Sequence, residues 1–369
     1  MIKIKNAKRL VVKVGSSILI NAKSQVNGEW LAAFAQDVSA LIAGGTQVII
    51  VTSGAVALGK QALAIKSQRL KLEEKQAAAA CGQIMLMQAW RESLLGHNIA
   101  AAQILLTIDD SEDRRRYLNA RSTLETLLSN NVIPIINEND TVATAELRFG
   151  DNDRLAARVA QMASADILVL LSDIDGLYTA NPNLDKTAKL VEIVKEVTPD
   201  IEAMAGKATS QVGTGGMITK LEAAKIALAA GCHMIIAKGK KLHALGEIDK
   251  SPRTCFVASS NPHNARKSWI SGAILAGGSI TIDDGALQAV KKGKSLLPAG
   301  VKIIEGFFER GDAVNIKDIS GNIVGKGLIA YSAEDSTKII GNNSSEIEAI
   351  LGFKGRTAIM HRDDLVLKE

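Results

Sequence analysis

Apolar residues recur along the chain in six short runs, at 10–14, 48–52, 99–106, 132–136, 167–172 and 233–237. Each run is nearly continuous rather than alternating. That pattern suits strands of a parallel sheet covered on both faces. Longer segments with helical patterning lie between them, at 29–43, 72–95, 114–129, 153–162 and 217–230. The alternation predicts an α/β fold, an open, mostly parallel sheet sandwiched between helices. Ligands of such sheets sit beyond the carboxyl ends of the strands. The loops there are where chemistry is to be sought.

The pattern changes after Ser251. The stretch SPRTCFVASSNPHNARKSWISG carries two prolines and clustered polar residues, and reads as a linker. Beyond Gly277-Gly278 the chain turns to short strands punctuated by glycine, which predicts a small β-rich module. A short strand at 356–360 and a polar tail end it. The expected division is 1–255, a linker at 256–275, and 276–369.

Composition narrows the function classes. With 47% apolar and 22% charged residues the chain is globular. Aromatics are only 3%, too few for a large base-stacking surface. The net charge is +5, and from Ala276 onward 12 basic residues face 13 acidic ones. The mild basic excess therefore sits in the larger part, where it suits a small anionic substrate rather than a nucleic-acid stripe. Cys81, Cys232 and Cys255 form no C-x-x-C, and the five histidines show no ligand spacing. No apolar run reaches the ~18 residues of a membrane span. A cytoplasmic protein is expected.

Four post-strand loops carry candidate chemistry. Lys13 lies in a strand that otherwise reads as buried, and runs into Gly15-Ser16-Ser17; an anion would justify it, and so would a solvated strand edge. Ser53-Gly54 opens a helical run, as an anion site or as an ordinary N-cap. Asn137-Glu138-Asn139-Asp140-Thr141 and then Gly150-Asp151-Asn152-Asp153 contain eight polar residues in nine. That is more polarity than a turn needs, and two carboxamides with a carboxylate can hold an α-amino group. Gly213-Thr214-Gly215-Gly216-Met217-Ile218-Thr219-Lys220 precedes an alanine-rich helix and suits a phosphate cradle. Lys220 is out of place for helix stability, since the macrodipole disfavours a cation there. There is no G-x-x-x-x-G-K-[ST], no G-x-G-x-x-G after the first strand and no G-x-S-x-G.

The motifs VVKVGSS, VTSGAVALG, NENDTVAT, FGDND, LLSDIDGLYTANP and GTGGMITK, in this order, resemble the glutamate 5-kinases of the amino-acid kinase family. The segment from Ala276 resembles the PUA domain that many bacterial members carry. The resemblance implies ATP-dependent phosphorylation of the L-glutamate side-chain carboxylate, giving L-glutamyl 5-phosphate for proline synthesis. It implies that Lys13 and Lys220 contact the transferring phosphoryl group and that Asp153 orients both. Ser53, Asp140 and Asn152 would hold glutamate, with Asn137 and Asp151 in support. Ser172, Asp173, Thr214, Gly215, Gly216, Met217, Ile218, Thr219 and Lys220 would contact ATP, as would Lys13, with Ser16 as a helper. Mg²⁺ would bridge the phosphates; no protein ligand is named for it.

The resemblance also implies feedback inhibition by proline and a homo-oligomer, dimer or tetramer. The loop at 107–117 would be the regulatory element; alternatively it is a solvated helix start capped by Ser111. Two other readings remain open. One is a family kinase acting on a different acceptor. The other is an RNA-binding protein, since PUA-like modules mostly occur with RNA. The charge balance beyond Ala276 disfavours RNA.

Overall fold

The computed structural model describes residues 2–21, 23–65, 67, 70–142, 152–206, 216–272 and 276–368. The chain divides into two compact units, Met1–Pro262 and His263–Glu369.

In the first unit, among the described residues, eight strands form one sheet. They are β1 (Arg9–Val14), β2 (Gln47–Val51), β3 (Ala100–Leu106), β4 (Val132–Glu138), β5 (Ile167–Ser172), β6 (Ile193–Val194), β7 (His233–Lys238) and β8 (Arg253–Phe256). Their order is β3-β4-β2-β1-β5-β7-β8-β6, so β1 is central. β7 and β8 are antiparallel and the other pairs are parallel. The α/β reading therefore stands, with all six apolar runs in strands. The sequence pattern missed β6 and β8. β8 hides because Arg253 and Thr254 are polar, yet both are buried. The Arg253 guanidinium donates to the carbonyls of Ile2 and Ile248.

The helices are α1 (Ser16–Leu19), α2 (Gly28–Ala43), α3 (Ala55–Ala62), α4 (Leu72–Leu95), α5 (Ile108–Glu112), α6 (Arg114–Ser129), α7 (Asn152–Met162), α8 (Pro199–Met204) and α9 (Met217–Ala229). Alternate strand residues face opposite sides. Leu10, Val12 and Val14 of β1 join one core with Trp30 and Phe34 of α2 and Leu86 and Trp90 of α4. Val11 joins the other core, under α6, α7 and α9. The first core uses three of the few aromatics: Phe34 stacks on Trp30 at 5.0 Å and meets Trp90 edge-on at 5.5 Å. The second uses alanines instead. Ala156, Ala157 and Ala160 of α7 and Ala223, Ala224 and Ala227 of α9 are fully buried. Small side chains let these two helices lie close to each other and to the strands.

The second unit holds a five-stranded sheet of β9 (Gly278–Ile282), β10 (Val301–Gly306), β11 (Ala313–Lys317), β12 (Ile323–Leu328) and β13 (Leu365–Leu367), in the order β10-β9-β11-β12-β13. Its helices are α10 (Pro262–Gly272), α11 (Asp284–Lys291), α12 (Ala333–Ile339) and α13 (Ile347–Leu351). The stretch read as a linker thus carries a helix. Arg266 of α10 is buried and donates to Asp364 at 2.5 Å and 3.1 Å. The closing strand is 365–367, paired with β12, rather than 356–360. In that earlier stretch Met360 makes only a bridge to Leu296, and Ile359 and Met360 serve as core side chains.

Candidate active site

The carboxyl ends of β1, β2 and β4 meet the starts of α7 and α9 at one group of buried polar side chains. Lys13 follows Val11 by two residues and so faces the α7 and α9 side of the sheet. Asp153 is the second residue of α7 and Lys220 the fourth of α9. Lys13 Nζ lies 2.7 Å from Asp153 Oδ1, and Lys220 Nζ lies 2.9 Å from Asp153 Oδ2. The Asp153 side chain is 2% exposed, those of Lys13 and Lys220 12% and 8%. Burial pushes the Asp153 carboxyl up, but the two lysine charges outweigh it and hold it at about 2. One carboxylate thus holds two ammonium groups, which leaves a positive surplus in a site of low dielectric.

A chain of amides lies beside this triad. Asn152, the residue before Asp153, holds Nδ2 within reach of three acceptors that share its two N–H groups: the Thr52 carbonyl at 2.7 Å, Ser53 Oγ at 2.8 Å and Asn137 Oδ1 at 3.1 Å. Asn137 Nδ2 donates in turn to Gln83 Oε1 at 2.8 Å. Trp90 Nε1 donates to Thr52 Oγ1 at 2.9 Å. Gln83 and Trp90 both lie on α4, two turns apart, so one helix braces the ends of both β2 and β4. Asn137 and Glu138 are the last residues of β4, buried, rather than part of a loop. Ser53 does not cap a helix. The N-cap of α3 is Gly54 at φ +114, and the Ser53 hydroxyl is turned to Asn152.

Asp140 lies just past β4 and is half-buried; desolvation raises its carboxyl to about 6. Ser172 is buried at the end of β5 with its hydroxyl 3.1 Å from Asp173 Oδ1, and Asp173 is exposed. Gly216 caps α9, and the exposed Ile218 lies in its first turn. The Thr219 hydroxyl donates to the Gly216 carbonyl at 2.9 Å and lies 3.4 Å from Asp153 Oδ2. Asp151, Thr214 and Gly215 lie outside the described residues. At 107–117 the caps are Thr107 for α5 and Asp113 for α6. Ser111 instead donates to the Ile108 carbonyl.

Glutamate 5-kinase of Paramagnetospirillum magneticum is 58% identical over 364 residues, covering 98% of each chain. That of Nitrobacter winogradskyi is 56% identical over 366 residues, covering 99% of this chain and 97% of its own. The pattern of the amino acid kinase family matches residues 8–238. The chain belongs to the glutamate 5-kinases of that family. Residues 278–351 match the PUA domain. Among solved structures, carbamate kinase from Giardia lamblia bound to AMP-PNP is 16% identical and covers 69% of this chain and 100% of its own, with a TM-score of 0.49.

Within this glutamate 5-kinase family member, two site-building residues escape sequence reasoning. Gln83 and Trp90 sit in the helical segment 72–95, where the sequence marks no candidate site residue. Only their spacing of seven, which puts them on the same side of α4, hints that they act together.

Proposed function

We propose that the chain transfers the γ-phosphoryl group of ATP to the side-chain carboxylate of L-glutamate, giving L-glutamyl 5-phosphate, the first step of proline synthesis from glutamate. The observation that carries this reading is the pairing of Lys13 and Lys220 on the two oxygens of one buried carboxylate, Asp153.

The acceptor needs no general base. A glutamate side chain with a pKa of about 4.3 is already ionised at neutral pH. The obstacle is bringing two anions together, so the site must supply positive charge that is in place beforehand. Lys13 and Lys220 supply it from opposite sides. Asp153 fixes their separation and never leaves them unpaired. Ser53 and Asn152 hold the acceptor next to them, with Asn137 and Asp151 in support. Asp140, a desolvated carboxylate, takes the α-ammonium group, which would restore its ordinary ionisation. Ser172, Asp173 and the run from Thr214 to Lys220 hold ATP.

A divalent ion accompanies ATP in this chemistry, and we assign it as Mg²⁺. Among the described residues no group of three or more His, Cys, Asp or Glu is placed to hold a metal. Both oxygens of Asp153 are engaged by lysine. This donor set fits an ion carried in on phosphate oxygens and water. Its chemistry there would be to neutralise phosphate charge.

Proline is proposed as a feedback inhibitor at or beside the glutamate pocket, with 107–117 as the responsive segment. The working form is proposed as a cytoplasmic homo-oligomer, a dimer or tetramer. Among the described residues no helix is long and apolar enough to cross a membrane. RNA binding through the segment from Ala276 is not favoured, given its 12 basic against 13 acidic residues.

The test is ATP-dependent product formation in the presence of hydroxylamine, which traps an acyl phosphate as its hydroxamate. L-glutamate, L-aspartate and N-acetylglutamate are compared. Hydroxamate from glutamate alone is expected. None from any carboxylate, with folded protein, sinks the acyl-phosphate mechanism.

A further inference from the structure

The amide chain ends on a donor that, among the described residues, has nothing to donate to. Asn152 Nδ2 must be nitrogen, because one of its partners is the Thr52 main-chain carbonyl, which only accepts. An Asn137 NH₂ turned to Asn152 would face another NH₂ at 3.1 Å, so Asn137 turns its oxygen there and its nitrogen to Gln83. Gln83 must turn its oxygen to Asn137. Each orientation follows from the one before, so Gln83 Nε2 is a genuine NH₂ group. It is buried and, among the described residues, has no hydrogen-bond partner. Leaving a buried donor unpaired costs stability, which argues for an acceptor that arrives from outside.

We propose that Gln83 is a further acceptor-binding residue, whose free N–H groups take the α-carboxylate of the amino acid. This rests on the glutamate kinase reading above. The reacting carboxylate must lie at Lys13 and Lys220, whose partner Asp153 adjoins Asn152. Gln83 is at the other end of the amide chain, one whole residue, Asn137, away from Asn152. It is therefore placed for the carboxylate that does not react. A neutral amide holds that group without adding another buried charge. Asp140 repels a carboxylate and suits the ammonium group. The backbone of α4 is also fixed at this point. Gly82 packs against the Ala55 carbonyl, and Trp90 of the same helix is tied to Thr52. A donor on so rigid an element is positioned before the ligand arrives.

The test uses Gln83→Glu and Gln83→Met in the full chain, with L-glutamate and its α-amide as rival acceptors. Thermal melts check the fold. Gln83→Glu keeps an oxygen for Asn137 Nδ2 but puts an anion where the donor was. It is expected to raise KM for glutamate about tenfold or more, and more than Gln83→Met does, with KM for ATP unchanged. Gln83→Met is expected to lose about tenfold of the preference for glutamate over the α-amide. A Gln83→Glu enzyme with an unchanged KM for glutamate overturns the proposal and leaves Gln83 as a brace for Asn137. An unchanged preference in Gln83→Met does the same. If Gln83→Met unfolds, the near-isosteric Gln83→Glu carries the decision alone. The parent reading fails separately, when the wild-type protein forms no hydroxamate from glutamate.

Discussion

Lys220 Nζ sits 2.9 Å from Asp153 Oδ2, a contact between buried residues 67 apart in the sequence. A helix start disfavours a cation, and burial disfavours it further. α7 brings a carboxylate to Lys220, and the ion pair offsets both costs. Removing Lys220 leaves Asp153 still paired with Lys13 at 2.7 Å, so no charge is stranded. Lys220→Ala is thus expected to cut kcat by about 10²–10³ or more with little change in Tm. Steady-state kinetics and a thermal melt check both halves. Near-normal kcat would remove Lys220 from phosphoryl transfer.

Asp153→Asn is expected to behave in the opposite way. It strands two ammonium groups in a site that is nearly closed to water, a loss of about 3–5 kcal/mol. The Asp153 carboxyl is depressed to about 2 from an ordinary 3.8. Its stabilising contribution is therefore complete above 3.8 and is lost as pH falls toward 2. Denaturant titrations of wild type and variant should differ by a constant amount at neutral pH. The two should converge below pH 3.8. A gap that persists in acid would show that the carboxylate charge is not what holds the lysines.

How much of this was legible beforehand follows from which residues carry their own signal. Buried parallel strands are written as unbroken apolar runs, so β1, β2, β4, β5 and β7 could be read directly. A lysine inside such a run and another at a helix start were conspicuous because each breaks a local rule. β8 was not legible, because Arg253 and Thr254 look exposed, and their burial depends in part on partners far off in the chain, Ile2 for Arg253 and Leu177 for Thr254. α10 was hidden in the same way: its buried Arg266 is explained by Asp364. The amide chain was half legible. Asn137 and Asn152 stood out among polar neighbours, whereas Gln83 acquires its role only when α4 is laid against the end of β4.

The burial of Asp140 works against stability. Burial holds its carboxyl at about 6, above the ordinary 3.8, so ionising it costs folding free energy. That cost is absent below 3.8 and complete above about 6. Asp140→Asn is expected to stabilise the protein by about 2–3 kcal/mol at neutral pH and by nothing in acid. Its KM for glutamate should rise tenfold or more while that for ATP barely moves. In the wild type, kcat/KM for glutamate should fall as pH drops below about 6 and Asp140 takes up a proton. The variant should lack this limb. Equal changes in both KM values would put Asp140 outside the acceptor pocket.

Gly82 has no room for a side chain. A Cβ there would stand 1.8 Å from the Ala55 carbonyl oxygen, and one on Gly59 would stand 1.7 Å from that of Ala78. α3 and α4 therefore meet backbone to backbone, and neither neighbour can swing aside as a flexible side chain would. Gly82→Ala must push the helices apart, at a cost of about 3 kcal/mol or more. The displacement falls on particular residues. Gln83 and Trp90 ride on α4 and hold Asn137 and Thr52, whereas Lys13, Asp153 and Lys220 are held by β1, α7 and α9. The expected outcome is a lowered Tm and a KM for glutamate that rises well beyond that for ATP. Ala80→Ser, on the exposed side of the same helix, should change neither. If Gly82→Ala raised both KM values equally, α4 would brace the whole site rather than its acceptor half.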